Sequence, residues 1–332
     1  MTKNAVTNIA QIGVGYWGPN LLRNLVANAR CKVRTVVDQA EDRRKYVEGL
    51  YPGVKVVADS ADPLKDPTIE AVVIATPVAT HFDLVVKALE AGKHVLVEKP
   101  MATTVAEVET IGELAKRKGL VAMVGHTFIY NAAVRYLKKL IDSGELGEVR
   151  YIYSQRLNLG RIRSDVDALW NLAPHDISIL QYLLGDPDPV QCTRHGMAFI
   201  QPGVDDVVFL NIVYPNRIMA NIHVSWLDPS KIRCMTVVGS KKMAVYDDVA
   251  DHKIAIYDKG IDKVAVLGKD MDFDYTDFFK FQHRSGDVLF PKIDFKEPLG
   301  QEINHFLDCI QLGTECMTGS KHAAKVTAIL AT

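Results

Sequence analysis

Hydrophobic residues recur in two different patterns along the chain. In residues 8–126, short apolar runs such as Ala71–Thr76 and Val121–His126 alternate with helix-like segments such as Thr104–Lys118. Strands that alternate with helices of about 10–15 residues are typical of βαβ units in a parallel sheet. Nearly continuous apolar strands also fit a sheet that has helices on both faces. We therefore predict a doubly wound parallel sheet, of the α/β class, in this part of the chain.

After about residue 131 the pattern changes to strand-like runs with few helices between them. Examples are Val149–Leu157, Val207–Tyr214 and Ile218–Trp226, and several runs are joined by turn sequences. Such successive strands favour a large, open and mostly antiparallel sheet. Together with the helical patterns between them, they predict a second α/β domain.

Helices interrupt this second part at only a few places. The pattern predicts one helix at His175–Leu184 and another at Leu299–Gln311, whereas residues 260–297 show no regular pattern. A chain of 332 residues has room for about two domains. We therefore predict a first domain at residues 1–126 and a second domain at residues 127–332.

The composition excludes several classes of protein. With 39 Lys and Arg against 40 Asp and Glu, the net charge of −1 provides no broad positive field for nucleic acid. The 48% of hydrophobic residues argues against a disordered chain. No apolar run approaches the roughly 18 residues of a membrane span, and the N-terminal residues lack the apolar region of a signal peptide. We therefore expect a cytoplasmic globular protein that binds neither nucleic acid nor membrane.

The cysteines predict neither disulfides nor a metal site. They are scattered along the chain as Cys31, Cys192, Cys234, Cys309 and Cys316, and no CxxC pair occurs. The cysteines and histidines also lack the sequence spacing of zinc ligands. We therefore expect reduced cysteines that serve in packing.

A glycine-rich sequence follows the first predicted strand and opens the first predicted helix. Gly13-Val14-Gly15-Tyr16-Trp17-Gly18 has the GxGxxG spacing of a dinucleotide-binding loop, in the context that this motif requires. The glycines permit a tight turn, close approach of the backbone to a pyrophosphate, and close packing of helix on strand. N–H groups at the helix start then face the phosphates. The predicted dinucleotide-binding residues of this loop are Gly13, Gly15, Tyr16, Trp17 and Gly18.

Asp38 lies 20 residues after Gly18, at the end of the next predicted strand. A carboxylate at this position accepts hydrogen bonds from the adenosine ribose hydroxyls and repels a 2′-phosphate. Asp38 therefore favours NAD over NADP as the cofactor, although Arg43 and Arg44 nearby are able to bind a phosphate.

Two other strand ends are expected to reach the same crevice, because ligands of such sheets lie beyond the carboxyl ends of the strands. Thr76 and Pro77 follow one buried strand, and His81 begins the helix after it. Glu98 and Lys99 follow the next strand and precede a proline. All five residues are predicted to lie at the cofactor. A lysine in a partly desolvated cleft is also able to donate to a substrate hydroxyl or to join a proton relay.

Three segments of the sequence form a specific combination. They are IGVGYWG near the N-terminus, ATPVATHFDLVVKALEAGKHVLVEKPMA at residues 75–102, and Pro174-His175-Asp176 followed by Leu183-Leu184-Gly185-Asp186. Together they resemble the Gfo/Idh/MocA family of sugar and cyclitol oxidoreductases. The resemblance implies a Rossmann domain, a C-terminal α/β domain on a large open sheet, and homodimers or homotetramers formed through that sheet. It also implies that Lys99 and His175 are catalytic.

The sequence departs from the family at one catalytic position. Where the family often has an aspartate four residues before the histidine, this chain has Asn171, which cannot accept a proton. The catalytic base is therefore Lys99, His175, or both in a relay. Asp176 is interpreted as an acid in the first turn of a helix, where the helix dipole favours a negative charge.

An arginine-rich segment, Gln155–Asp165, precedes the histidine-bearing helix and has three arginines in eight residues. Arginine binds anionic oxygens in bidentate geometry, so this segment favours a substrate with phosphates or a carboxylate. A second candidate segment follows the sixth strand, where relatives contact substrate. The predicted substrate-binding residues are His126, Tyr130, Asn131, Arg156, Asn158, Arg163, Asn171 and His175.

These features predict an NAD-dependent dehydrogenase of a nucleotide-activated sugar such as UDP-N-acetylglucosamine or its uronic acid. By resemblance, the oxidised group is a secondary hydroxyl, at C3. One alternative with the same fold is a dehydrogenase of inositol or of free sugars. Another is a non-catalytic protein that senses dinucleotides, and a third is a lyase or hydrolase that reduces its NAD only transiently.

Overall fold

The computed structural model of the chain describes residues 6–265 and 279–332. Contacts within the chain define two units. The first comprises Met1–Asn131, Ile177–Gln181 and Lys296–Thr332, and the second comprises Ala132–Asp176 and Tyr182–Phe295. The predicted domain boundary after residue 126 stays a prediction. Near its C-terminal end, at Lys296–Thr332, the chain returns to the first unit. Of the helices in the described ranges, none is both long and apolar enough to cross a bilayer.

The first unit contains a sheet of six parallel strands. Its elements are β1 (Thr7–Ile12), α1 (Gly18–Ala27), β2 (Cys31–Val37), α2 (Glu41–Leu50), β3 (Lys55–Val57), α3 (Ala61–Lys65), β4 (Ala71–Ile74), α4 (His81–Glu90), β5 (His94–Glu98), α5 (Val105–Lys118) and β6 (Ala122–Gly125). The strand order is β3-β2-β1-β4-β5-β6. Every residue of β4 and β6 is buried, which explains why these strands lack polar alternation.

This sheet confirms the predicted doubly wound parallel fold. Its order reverses between β1 and β4. Ligands of such sheets bind at this reversal, beyond the carboxyl ends of the strands. The chain segments that follow β1, β2, β4, β5 and β6 are therefore the ones that position a site.

The second unit contains a sheet of eight strands. Its elements are α6 (Ala132–Asp142), β7 (Val149–Leu159), α7 (Ala168–Leu184, of which Ile177–Gln181 belongs to the first unit), β8 (Gln191–Met197), β9 (Val207–Tyr214), β10 (Ile218–Ser225), β11 (Leu227–Gly239), β12 (Met243–Asp247), β13 (Ile254–Ala265) and β14 (Phe279–Leu289). The strand order is β14-β13-β12-β11-β7-β10-β9-β8. Only the pair of β7 and β10 is parallel among the pairs of this sheet in the described residues, so the predicted mostly antiparallel sheet is confirmed.

Two helices near the C-terminal end complete the first unit. They are α8 (Pro298–Leu312) and α9 (Ser320–Leu330), and they pack beside α1 and α5 respectively. The helix predicted at Leu299–Gln311 is thereby confirmed.

The prediction of irregular structure at residues 260–297 is wrong for much of this range. β13 continues to Ala265 and pairs with β14, with Ile261 opposite His283. β14 is exposed along most of its described length and has few buried apolar positions, so its strand pattern is weak in the sequence. Residues 266–278 of the range lie outside the described residues.

Helix α7 is longer than predicted and begins at Ala168 instead of His175. Oδ1 of Asp167 accepts a hydrogen bond from the backbone N–H of Trp170 (2.8 Å), which is the contact of an N-capping residue. Pro174 lies inside the helix. Because proline is common in the first turn of a helix, the sequence alone suggests that the helix starts near Pro174. Asp176 is therefore in the middle of α7, and its interpretation as a first-turn acid is wrong.

Candidate active site

The glycine loop between β1 and α1 has the backbone that the motif predicts. Gly13 has a φ of +95°, and a Cβ atom there would lie 2.4 Å from the carbonyl oxygen of Ala75. A Cβ atom on Gly18 would lie 2.5 Å from the carbonyl oxygen of Gly13. A Cβ atom on Gly15 would meet none of the described atoms within 4 Å. The first and third glycines are therefore needed for packing, and the second leaves space for the phosphates of a dinucleotide.

Neighbouring side chains hold the loop in place. The side-chain amide of Gln11 donates to the carbonyl oxygens of Gly13 (2.9 Å) and Gly18 (2.8 Å). The indole of Trp17 lies close enough to the Glu98 carboxyl to act towards a lower pKa of that group, which brings the loop near the end of β5. Tyr16 is 91% exposed and is therefore available to a ligand.

Asp38 follows β2 and lies against the same loop. Its Oδ2 accepts a hydrogen bond from the backbone N–H of Val14 at 2.8 Å, and its Oδ1 accepts one from Ala40 at 2.9 Å. Arg44 donates to the backbone oxygens of Asp38 (2.8 Å) and Gln39 (2.7 Å), so its guanidinium already has two acceptors. A carboxylate beside the glycine loop, with the nearby arginine held by backbone, fits the adenosine ribose of NAD.

Neutralising Asp38 is expected to weaken NAD binding and to reduce the preference for NAD over NADP. Asp38→Asn keeps the shape of the side chain but removes the charge of the acceptor, and hydrogen bonds to charged groups contribute about 1.5–3 kcal/mol. The dissociation constant of NAD should therefore rise about tenfold or more, measured by calorimetry with NAD and NADP in parallel. Asp42→Asn, at an exposed acid of α2, is the control. An unchanged preference in Asp38→Asn would contradict the assignment.

The loop after β4 is joined to the loop after β5 by His81. This residue is 1% exposed, and its ring nitrogens lie 2.7 Å from the oxygen of Pro100 and 2.9 Å from that of Thr76. Burial lowers the pKa of His81, although both carbonyl groups act in the opposite direction. The prediction that His81 binds cofactor is corrected, because its ring is buried and both nitrogens face backbone. Thr76 and Pro77 are not buried and stay predicted cofactor contacts.

Two carboxyl groups lie beside Gly125, at the end of β6. Glu98 pairs in register with Gly125, and a Cβ atom on that glycine would lie 3.3 Å from Oε1 of Glu98 and 3.4 Å from Oε1 of Glu302. Burial raises the pKa of Glu98 to about 7, against the opposing charge of Lys99. Burial, together with Glu98, raises the pKa of Glu302 well above its usual range. The pair therefore holds at least one proton near neutral pH. Glu98 directly precedes Lys99 in the sequence.

Two histidines extend this polar cluster. His126 is 2% exposed, and its ring lies edge-on to that of His322 with the centroids 5.3 Å apart. Nε2 of His322 is 3.2 Å from the hydroxyl oxygen of Ser178. Burial, followed by the charges of His322 and Lys99, lowers the pKa of His126 well below its usual value. His126 is therefore neutral at pH 7, and its direct contact with substrate stays a prediction.

Replacing Glu302 with glutamine is expected to stabilise the protein increasingly as the pH rises. An unfolded glutamate loses its proton near pH 4.3, whereas the folded protein keeps the proton of Glu302 to a higher pH. The contribution of Glu302 to wild-type stability therefore falls as the pH rises from its unfolded pKa towards its folded one. Glutamine cannot ionise, so Glu302→Gln should gain about 1.4 kcal/mol in unfolding free energy for each unit between the two pKa values.

Denaturant unfolding at about pH 5 and pH 8 measures this gain. Glu297→Gln is the matched control just before α8. The hydrogen bond from Arg23 lowers the pKa of Glu297, so its removal should bring no gain at the higher pH. An equal response of the two variants would contradict the assignment of Glu302.

Two residues predicted to bind substrate after β6 are buried in the first unit. Tyr130 is 1% exposed, and its hydroxyl oxygen is 3.1 Å from that of Thr318. Its ring also lies against His305, with centroids 5.5 Å apart. Because its polar atom is engaged in the interior, Tyr130 is a core residue and the prediction for it is corrected. Asn131 is 2% exposed, so it too presents little surface to a substrate.

Arg156 does not belong to an anion-binding loop. It lies on β7, is 5% exposed, and its Nε donates to Oδ2 of Asp176 at 2.6 Å. Oδ1 of Asp176 also accepts a hydrogen bond from the hydroxyl of Ser154 at 2.6 Å. The prediction that Arg156 binds substrate is corrected, because its charge is neutralised inside the second unit. The pair instead joins β7 to α7.

The other predicted substrate-binding residues of the second unit are not fully buried. Asn158 lies near the end of β7, and Arg163 follows it and donates from Nε to Oδ1 of Asp165 at 2.8 Å. Asn171 and His175 lie four residues apart on α7 and so share one face of this helix. Their contacts with substrate stay predictions.

Glu302 and His322 were missed by the sequence reasoning. Glu302 has a usable signal, since it occupies an apolar-face position of α8 together with Leu299, Ile303 and Phe306, all of them buried. A charged residue in such a position is rarely fully buried without a partner or a shifted pKa. His322 has no comparable signal, because its neighbourhood depends on contacts between distant parts of the chain.

The glycine loop, the acid after β2 and the sheet order together define a dinucleotide-binding protein of the Rossmann class. Residues 7–126 match the family model described as "Oxidoreductase family, NAD-binding Rossmann fold". Residues 134–245 match that of the GFO/IDH/MocA C-terminal domain. The chain therefore belongs to the Gfo/Idh/MocA family of oxidoreductases, and its cofactor is NAD.

Comparison with individual proteins agrees with this family. The chain is 32% identical over 223 residues to the uncharacterized oxidoreductase YdgJ of Escherichia coli (strain K12), covering 63% of this chain and 62% of YdgJ, which is less than two thirds of its length. It is 26% identical over 317 residues to scyllo-inositol 2-dehydrogenase (NAD(+)) of Bacillus subtilis (strain 168), covering 92% and 86%. The structure of UDP-N-acetylglucosamine 3-dehydrogenase GnnA from Acidithiobacillus ferrooxidans superposes with a TM-score of 0.80 at 23% identity, covering 98% and 95%. The last match is evidence for the fold alone.

Proposed function

We propose that the protein is an NAD-dependent dehydrogenase that oxidises a secondary hydroxyl, at C3, of a nucleotide-activated sugar of the UDP-N-acetylglucosamine type. The family and the glycine loop support the redox class. The observation that supports this substrate class is the segment at residues 160–167, which leads from the end of β7 to α7. It presents Arg161, which is exposed, and Arg163, whose side chain is 41% exposed, just before the helix with His175.

In the proposed oxidation, side chains of the chain bind the substrate oxygen and accept its proton. When bound beside the glycine loop, NAD would supply the acceptor for the hydride that leaves the carbinol carbon. Lys99 donates to the substrate oxygen and stabilises the negative charge that develops on it. Lys99, His175, or both in a relay take up the hydroxyl proton, and the carboxyl pair of Glu98 and Glu302 holds a proton near Lys99.

Arginines on residues 160–167 hold the anionic part of the substrate in this proposal. Guanidinium groups bind phosphate or carboxylate oxygens in bidentate geometry. Arg163 already shares its charge with Asp165, so Arg161 is the stronger candidate of the two.

The test is NADH formation with UDP-N-acetylglucosamine, its uronic acid, scyllo-inositol, myo-inositol and glucose. Wild-type protein should reduce NAD with one of the UDP-sugars and not with the free polyols. Arg161→Gln combined with Arg163→Gln should raise KM for the UDP-sugar about tenfold, since charge-assisted hydrogen bonds contribute about 1.5–3 kcal/mol. Arg150→Gln, an exposed arginine at β7, is the control. Turnover of free polyols alone would contradict the nucleotide-sugar proposal.

A second candidate function is the oxidation of inositol. It is favoured by the likeness to scyllo-inositol 2-dehydrogenase along 92% of this chain and by the neutralisation of Arg156 by Asp176. The same panel of substrates distinguishes the two candidates, because an inositol dehydrogenase needs no nucleotide. If NADH formed with none of the substrates, the result would favour a non-catalytic protein that senses dinucleotides, or a lyase or hydrolase that reduces its NAD only transiently.

We also propose that the protein forms a homodimer or homotetramer through the sheet of the second unit. One face of this sheet presents Tyr151, Tyr153, Phe209 and Met219, which are between 40% and 58% exposed. An apolar face of this kind is often covered by another subunit. Sedimentation equilibrium should give a mass that is a multiple of the chain mass, and a monomer at micromolar concentration would contradict the proposal.

A further inference from the structure

Three potential metal ligands converge at the C-terminal end of α8. His305 and Cys309 lie four residues apart, so they share one face of the helix. Gly313 then adopts a left-handed conformation with φ of +69° and ends the helix. The chain turns back, and it places Cys316 beside the other two residues. The ligand atoms of the three side chains all lie within 4.8 Å of one another.

The distance between two of the ligand atoms matches that in a metal centre. Nε2 of His305 lies 3.5 Å from Sγ of Cys309. In tetrahedral geometry, metal–nitrogen bonds of about 2.0–2.1 Å and metal–sulfur bonds of about 2.3 Å separate these two atoms by about 3.5 Å. His305 and Cys309 therefore need little movement to share one ion, and Sγ of Cys316 lies within 4.8 Å of both ligand atoms.

A hydrogen bond defines the protonation state of the histidine. The backbone N–H of Met317 donates to Nε2 of His305 at 3.1 Å, so this nitrogen carries no proton, and a bound cation would take its lone pair in place of that hydrogen bond. Cysteine binds a metal as its thiolate, so a divalent cation at this group would displace the thiol protons, and its binding would strengthen as the pH rises.

The surrounding structure holds the returning segment in position. The backbone N–H of Val124, in β6, donates to the oxygen of Thr318 at 2.9 Å, and Met123 forms a bridge with Gly319. His305 and Cys309 are buried, whereas Cys316 is partly exposed. Cys316 therefore leaves the group partly accessible to solvent.

We propose that His305, Cys309 and Cys316 form a binding site for one thiophilic divalent cation, Zn²⁺ in particular. Nitrogen and thiolate ligands select Zn²⁺ over Mg²⁺ and Ca²⁺, which prefer oxygen. The site joins the end of α8 to the segment that lies against β6, so its role is to stabilise the first unit. It differs from the expectation that these cysteines serve only in packing, and it does not depend on the proposed substrate.

The test is a Co²⁺ titration of the full-length, reduced and chelator-treated protein under anaerobic conditions. One Co²⁺ per chain should bind, with the sulfur-to-cobalt charge-transfer absorption and the intense visible bands of tetrahedral coordination, and Zn²⁺ should displace it. Cys309→Ser and Cys316→Ala should each weaken binding at least about a hundredfold. Cys192→Ser, at a half-buried cysteine of β8, should bind as the wild type does. Circular dichroism establishes that each variant is folded.

Thiol counting and mass spectrometry of the protein as purified show whether Cys309 and Cys316 are reduced. A Cys309–Cys316 disulfide that persists during purification would overturn the proposal, because oxidised sulfurs do not ligate the ion. A wild-type protein without the tetrahedral spectrum would overturn it as well, and so would Co²⁺ binding by Cys309→Ser and Cys316→Ala that equals wild-type binding. Metal-dependent protection from thermal unfolding in the wild type, absent in Cys316→Ala, would support it.

Discussion

Replacing Lys99 with methionine is expected to lower kcat/KM about a thousandfold while NAD binding is retained. Methionine keeps the unbranched shape of the side chain and removes its charge and its donors. The substrate oxygen then loses the group that stabilises its developing negative charge, an effect that is typically about 10²–10⁴-fold for a positioned acid–base or electrostatic group. Steady-state kinetics with whichever substrate of the panel is turned over, together with calorimetry for NAD, measures both quantities.

Controls separate a catalytic effect from a structural one. Lys87→Met makes the same chemical change at an exposed position of α4 and should leave kcat/KM unchanged. If Lys99→Met retained more than about a tenth of wild-type kcat/KM, Lys99 would not be catalytic. His175→Gln then distinguishes the open alternatives for the base. A loss in Lys99→Met alone assigns the base to Lys99, whereas a large loss in both variants shows that His175 takes part, either as the base or in a relay with Lys99.

The parts of the fold that the sequence predicts are those with local signals. The glycine loop from Gly13 to Gly18 combines a spacing, a preceding strand and a following helix, and each of these is visible without neighbours. The buried strands β4 and β6 are likewise visible as continuous apolar runs. The parallel sheet and the NAD site followed from these signals because they depend on short stretches of sequence.

Residues whose role depends on distant contacts could not be assigned in the same way. Arg156 and Asp176 are separated by 19 intervening residues, and each is ambiguous alone, one as an exposed anion binder and the other as a helix-start acid. Their ion pair is visible only when β7 and α7 are placed together. Tyr130 was similarly ambiguous, because its hydrogen-bond partner Thr318 lies 188 residues away in the sequence.

Helix α7 illustrates a conflict between two local signals. Pro174 suggests a helix start at this point, whereas Asp167 and Trp170 form the actual N-terminal cap. The ambiguity affects function, because it decides whether Asn171 lies on the same helix as His175. In the structure both residues lie on α7, so the departure from the family aspartate places an amide one turn before the histidine.

Removing the charge of Asp176 is expected to destabilise the second unit by about 3–5 kcal/mol, because it leaves Arg156 buried without its counter-ion. Both side chains are about 5% exposed and their atoms lie 2.6 Å apart. Denaturant unfolding of Asp176→Asn and Arg156→Met measures the loss. The double variant with Arg156→Met and Asp176→Leu should recover much of the stability, since a buried pair can be replaced by apolar residues at little cost.

An exposed pair of the same chemistry provides the control. Arg163 and Asp165 also form a short ion pair, but their side chains are 41% and 59% exposed. Solvent screens such a pair, so Asp165→Asn should change the unfolding free energy by less than about 1 kcal/mol. Because Asp176 directly follows His175, the buried pair also fixes the part of α7 on which the candidate base lies. The apolar double variant should therefore fold well. A loss of kcat in this variant would show that the ion pair is needed to position His175, whereas full activity would show that apolar packing positions His175 equally well.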